Sequence, residues 1–166
     1  MGASICVLTL PLWTGGILFA LGDVLDYLDG DLARRQGTNS KEGAIFDAAL
    51  DRYTDFLVIG ALTYLTVVLL ERHPDFLIGH LSFLTSEAAL VLGLAALLGS
   101  TLTPYVRAKT EAEGNSSVAT IGDRGVRNHI LVVGLLLSQP IWTLVALAVV
   151  ANWAAIHRLA HAMRRE

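Results

Sequence analysis

The sequence predicts an all-α protein, a polytopic membrane helix bundle forming a single domain over residues 1–166. Three observations carry that expectation. Hydrophobic residues make up 54% of the chain and charged residues 16%, and the mean hydropathy is +0.57, which is too apolar for an ordinary soluble domain. The apolar residues come in long runs. These runs recur to the end of the chain, unlike a single leader stretch followed by a soluble domain. Cys6 is the only cysteine, so no internal disulfide is possible. The ligand inventory for a metal is therefore carboxylate, which suits Mg²⁺ or Mn²⁺ better than zinc. No nucleic-acid partner is expected.

About five spans can be assigned in order. The first runs from about Ala3 to Leu25 and continues as helix through Asp26–Arg35. Gly37 to Ser40 is a turn, and Ser40 marks the start of the next helix. That second segment, about Gly43 to Leu70, would be roughly 40 Å long at 1.5 Å per residue. It exceeds a hydrocarbon core of about 30 Å, so its aspartate-bearing end belongs at the interface or in a polar cavity. After the polar turn Glu71–Asp75, Phe76 to Thr85 reads as an interfacial stretch. The third span is about Glu87 to Val106, followed by a polar connection from Arg107 to Arg127. The fourth, about Asn128 to Leu137, has a short apolar core. Ser138 to Pro140 turns the chain into the fifth, about Ile141 to His157.

Lysine and arginine positions set the orientation. Arg34, Arg35, Lys41 and Arg52 flank the first turn, Arg107, Lys109, Arg124 and Arg127 fill the third connection, and Arg158, Arg164 and Arg165 end the chain. Only Arg72 lies on the other side. The expected topology has the N-terminus outside, with the first turn, the third connection and the C-terminus in the cytoplasm of a cell-membrane protein.

Asp26, Asp29, Asp47 and Asp51 fall within 26 residues, where two strongly apolar segments approach each other. An ionisable residue in such a setting is costly and is a functional-site candidate. In helices, Asp26 and Asp29 are three apart and Asp47 and Asp51 four apart, so each pair shares a face. Four acids converging on one place repel one another unless divalent cations sit between them. Magnesium keeps water and combines a few carboxylates with substrate phosphates, so such a site wants a phosphorylated substrate. Gly30 and Ala33 leave the helix surface bare beside it, and Arg34 adds a planar donor suited to phosphate or a ribose-linked group. Helix-end charges favoured by the dipole would explain Asp47 alone. They do not explain the set, because Asp23 and Asp55 extend the acidic faces into apolar sequence; those two read as supporting or helix–helix hydrogen-bonding residues.

The pattern D-x2-D-G-x2-A-R-x8-G-x3-D-x3-D, filled here from Asp26 to Asp51, resembles the signature of the CDP-alcohol phosphatidyltransferase family. The resemblance implies a lipid headgroup transferase with two divalent ions, Mg²⁺ or Mn²⁺. A phosphatidyl-type or archaetidyl group would pass from a CDP-linked lipid to an acceptor hydroxyl, with release of CMP. Asp26, Asp29 and Asp47 would be metal ligands, with Asp51 a further ligand and the general base. Asp29, Gly30, Ala33 and Arg34 would shape the CDP pocket, and Gly43 would allow close approach. A homodimer is implied by the resemblance alone. So is a sixth span ahead of the aspartate-bearing pair, which makes the family's first helix expected to be missing from this sequence.

Arg107, Lys109, Arg124 and Arg127 would suit an anion pocket of arginine forks and a lysine, although a positive-inside bias also accounts for them. The stretch from Thr103 to Gly114, followed by Gly122 to Arg127, looks like the inositol-phosphate-using branch of the family, the phosphatidylinositol phosphate and archaetidylinositol phosphate synthases. That makes a small polyol or polyol phosphate the expected acceptor, inositol phosphate first, with glycerol 3-phosphate the alternative. His157 and His161, one turn apart, fit an interfacial helix face better than a metal pair, and His73, His80 and His129 read the same way. Trp13, Trp142 and Trp153 fit packing or interface anchoring. The rivals are an intramembrane aromatic prenyltransferase, which needs a longer chain and two separate Asp-rich motifs, and a non-enzymatic cation transporter, which would not need the glycine and arginine context.

Overall fold

Five helices and the connections between them account for the described residues. The computed structural model describes residues 11–36, 40–72 and 85–164, the side chains of 33–36 excepted. The beginning of the first expected span, the 37–39 turn, the stretch 76–84, His73, His80 and the side chains of Ala33 and Arg34 lie outside the described residues. The helices are α1 (Leu12–Gln36), α2 (Lys41–Arg72), α3 (Ser86–Ala112), α4 (Arg124–Leu136) and α5 (Pro140–Met163).

Four of the five helices start or stop where the sequence provides a reason. The Pro11 carbonyl receives both the backbone N–H and the hydroxyl of Thr14 at the head of α1. Ser40 Oγ accepts from the Gly43 N–H at 2.9 Å, and Thr85 does the same for Ala88 at 3.2 Å. Both are N-caps that satisfy an otherwise orphaned donor. Gly114, at φ 82°, follows α3 in the left-handed conformation that glycine adopts without steric cost. Pro140 stands in the first turn of α5, where its missing N–H costs nothing. Pro104, by contrast, lies inside α3 and cannot donate to the carbonyl four residues back. That carbonyl belongs to Ser100, and Arg52 of α2 donates to it at 3.0 Å.

Three of the five helices, α2, α3 and α5, are long and apolar enough to cross a membrane. This refines the expectation of about five spans. The described part of α1 carries Asp23, Asp26, Asp29 and Asp31 on its second half. With 13 residues, α4 is about 20 Å long, short of the hydrocarbon thickness. The expected polar connection also starts later, because α3 remains helical through Arg107 and Lys109 to Ala112.

The bundle is organised around α3 and α5. Helix α2 packs on α3 and more lightly on α5, α4 packs on α5, and α1 packs on α4. Small residues are buried on both helices, Ala89, Gly93, Ala96 and Gly99 on α3 and Ala148, Ala151, Ala154 and Ala155 on α5. Gly99 meets Ala151 and Asn152 across the α3–α5 seam, while Gly93 meets Thr63 of α2 and Ala154 meets Gly122. In lipid, where apolar burial gives helices little reason to associate, close backbone packing of this kind holds them together. Gly99 shows how close it is, since a Cβ there would stand 2.6 Å from the Asn152 backbone nitrogen. Larger side chains, among them Ile59, Leu62, Leu131, Leu144 and Leu147, fill the remaining core. The three tryptophans face outward, at 49–62% exposure, as interface anchors do. Among the described residues, no Cα of α1 comes within 8 Å of a Cα of α2 or α3. The space this leaves between α1 and α2 positions the site.

Candidate active site

Helices α1 and α2 run antiparallel on either side of a cavity of about 420 Å³. Asp23 and Asp26 line it from α1, Asp47, Asp51 and Asp55 from α2, and Arg124 and Asn128 close it from the first turns of α4. Its apolar wall includes Leu18, Phe19 and Val58. Because the chain reverses between the helices, the acids align in three rungs. Asp29 and Asp47 come nearest the turn, Asp26 and Asp51 next, and Asp23 and Asp55 deepest. The helical spacings of three and four residues generate this order directly.

The two inner rungs have partners on α4. Arg124 spans the middle one: Nη1 lies 3.1 Å from Asp26 Oδ2 and Nη2 lies 2.8 Å from Asp51 Oδ1. In the deepest rung Asn128 donates to Asp23, and Arg127 pairs with Asp55 at 3.4 Å while also donating to the Gly122 carbonyl at 3.1 Å. Arg52 supports the α2 side, with Nη2 3.8 Å from Asp51 and Nη1 3.5 Å from Asp55; Nη1 also donates to the Ser100 carbonyl freed by Pro104. The first turns of α4 therefore clasp two helices whose backbones stand apart. Asp23 and Asp55 are the helix–helix hydrogen-bonding residues the sequence suggested. Asp29 is exposed and does not line the cavity, and Asp29 and Asp47 of the outer rung make no ion pair with described residues.

The four basic residues expected to form one anion pocket are divided. Arg124 alone lines the aspartate cavity. Arg127 is 3% exposed and committed to Asp55. Arg107 and Lys109 lie on the exposed end of α3 and pair along their own helix with Glu111 and Glu113. The Lys109 ammonium holds the Glu113 carboxyl below its ordinary range. The helical continuation of α3 is the reason, since it places these charges at i,i+4. Gly43 meets only its own cap, with Ser40 Oγ 3.0 Å from the position of a Cβ.

Sequence reasoning passed over two arginines. Arg158 reads as an end charge, yet it is 5% exposed, pairs with Asp123 at the start of α4 and donates to the Thr103 carbonyl at 3.3 Å. Its Nε has no hydrogen-bond partner among the described residues. Arg52 reads as a flanking charge; the available signal was Pro104, whose presence in a helix leaves a carbonyl in want of a donor.

The donor set suits a divalent cation. All candidate ligands are hard carboxylate oxygens, and they stand on facing walls. A cation already bridges those walls, in the form of the Arg124 guanidinium. Among the described residues no three carboxylates close around one point, and the guanidinium lies between the middle pair. Asp26, Asp47 and Asp51 would hold the ion from the cavity wall, with Asp29 next along the α1 face.

Comparison with known proteins places this architecture. The sequence matches the family model for CDP-alcohol phosphatidyltransferase over residues 3–160. A bifunctional IPC transferase and DIPP synthase of Rubrobacter xylanophilus is 35% identical over 149 residues, which is 87% of this chain and 30% of that protein. The phosphatidylinositol phosphate synthase of Mycolicibacterium smegmatis is 32% identical over 161 residues, covering 92% of this chain and 66% of that one. The chain thus spans between about a third and two thirds of the length of these relatives. Among solved structures, the phosphatidylinositol phosphate synthase of Mycobacterium tuberculosis with manganese and citrate superimposes with a TM-score of 0.76 at 23% identity, over 97% of this chain and 77% of that one. The same protein has been solved with CDP-DAG bound, with a TM-score of 0.75. With three apolar helices and this membrane-enzyme fold, the chain is an integral membrane protein. It belongs to the CDP-alcohol phosphatidyltransferase family.

Proposed function

We propose that this protein transfers a phosphatidyl-type or archaetidyl group from a CDP-linked lipid to the hydroxyl of an inositol phosphate, releasing CMP. One observation carries the proposal: Asp26, Asp47 and Asp51 stand on facing walls of a single cavity, with the Arg124 cation between them. Divalent ions held there, Mg²⁺ or Mn²⁺, would neutralise the diphosphate and stabilise the departing CMP. Relatives named as phosphatidylinositol phosphate synthases, and the manganese and the CDP-DAG in the M. tuberculosis structures, support the same reading.

The chain's own groups supply the rest. Asp51 accepts the proton of the acceptor hydroxyl as its oxygen bonds to the lipid-side phosphorus and the bond from that phosphorus to CMP breaks. Asp51 is suited to this because it sits in the cavity wall with its side chain 15% exposed. Asp29, Gly30, Ala33 and Arg34, which continue the α1 sequence beyond Asp26, would shape the CDP pocket. Arg124, the basic residue at the cavity, faces the acceptor phosphate. Arg127 acts through Asp55 rather than on substrate. The placement of lysine and arginine supports access to the site from the cytoplasmic face of a cell membrane, and the family resemblance supports a homodimer.

The acceptor is tested by supplying detergent-purified protein with labelled CDP-diacylglycerol or CDP-archaeol, Mn²⁺ and a panel of inositol phosphate, glycerol 3-phosphate, serine and free inositol. CMP release and a phosphorylated lipid product are expected with inositol phosphate. Turnover confined to glycerol 3-phosphate would reassign the acceptor, and CMP formation with none of them would remove the transferase reading.

A further inference from the structure

We infer that Arg124 is a built-in counter-cation of the aspartate site, which a divalent ion must displace in order to load. The inference rests on the metal-dependent reading above and concerns what becomes of the Arg124 bridge when the ion binds. Arg124 engages Asp26 and Asp51 through separate nitrogens, at 3.1 and 2.8 Å. A divalent ion held by these two carboxylates needs the oxygens the guanidinium occupies. Both cannot be satisfied together, so the contest is an exchange of one cation for another.

The surroundings favour an exchange rather than a permanent bridge. Arg124 is 36% exposed at the cavity edge, and Asp26 is 48% exposed. Arg127, one turn further along α4, is 4% exposed on its side chain and has two internal partners. The same helix therefore carries one locked arginine and one with room to leave. Without a cation, Asp26, Asp47 and Asp51 would face one another across an apolar-walled cavity at considerable electrostatic cost. Arg124 relieves that cost before any metal arrives. A freed guanidinium is then available to an anion entering the same cavity, which makes divalent-ion loading precede capture of a phosphorylated acceptor. By linkage, bridge and metal oppose each other, so a change at Arg124 that weakens the bridge while leaving the carboxylates intact tightens metal binding.

The test is Mn²⁺ affinity, read by electron paramagnetic resonance of free Mn²⁺ with purified protein, without CDP-lipid or acceptor. Arg124→Gln should bind Mn²⁺ about tenfold more tightly than the unaltered protein, the loss of one charged hydrogen-bond pair. Arg124→Lys keeps the charge without the two-pronged fork and should fall between them, at about threefold. Should the glutamine variant fail to fold, the lysine variant decides the matter. Lysine-variant affinity equal to that of the unaltered protein, or glutamine-variant affinity equal or weaker, overturns the exchange while leaving a metal site in place. Absence of saturable Mn²⁺ binding in all three proteins overturns both the exchange and the metal-dependent reading.

Discussion

Asp51→Asn should lower CMP release by about 10²- to 10⁴-fold, the range expected for removal of a general base, while the protein still purifies and melts like the unaltered one. Asparagine has the same shape and still accepts a hydrogen bond from Arg124, but it cannot take the acceptor proton. The structural cost is small for three reasons. Arg124 keeps Asp26 at 3.1 Å, Arg52 keeps the Ser100 carbonyl and Asp55, and α2 loses no packing group. The measurement is turnover with CDP-diacylglycerol and inositol phosphate beside a thermal melt in the same detergent. Near-normal turnover would refute the role of Asp51.

The largest effect on stability is expected at the deepest rung. Arg127→Met leaves the largely buried Asp55, its side chain 12% exposed, with only Arg52, at 3.5 Å, and removes the donor to the Gly122 carbonyl. Breaking one side of a buried pair costs about 3 kcal/mol or more, and here it would loosen the clasp that holds α2 to α4. Replacing both charges, Arg127→Met with Asp55→Leu, should recover much of the loss, because well-packed apolar residues can replace a buried pair. Thermal melting of the single and double variants decides this. Unchanged stability in Arg127→Met, with a selectively raised acceptor KM, would instead return Arg127 to the anion pocket that its place in the sequence suggested.

Much of the site was legible because it is local. The three- and four-residue spacings of the aspartates put each pair on one helical face, and the reversal of the chain between α1 and α2 turns the two faces into rungs. Asp23 and Asp55 extend those faces by one further step, so their helix–helix role was also readable. Ser40 announces the start of α2 by its residue type, whereas the fourth segment, assigned as a span despite its short apolar core, forms a helix of only 13 residues. The illegible part is non-local. A cluster of basic residues does not say which arginine pairs along its own helix and which reaches across the bundle. Arg107 and Lys109 found glutamates one turn away, whereas Arg127 found Asp55, 72 residues distant, and Arg158 found Asp123. Arg52 depends on Pro104 only through a carbonyl 48 residues from the arginine itself. Nor did periodicity indicate that α1 and α2 would stand apart, with α4 supplying the connection between them.

The central claim is a metal-dependent transfer at the Asp26–Asp47–Asp51 cavity, and chelation tests it most directly. Purified protein given labelled CDP-diacylglycerol and inositol phosphate should release CMP in step with lipid product. Release should stop on addition of EDTA and return with excess Mn²⁺ or Mg²⁺. CMP release that survives chelation, or cation flux across vesicles without any CMP, would contradict it.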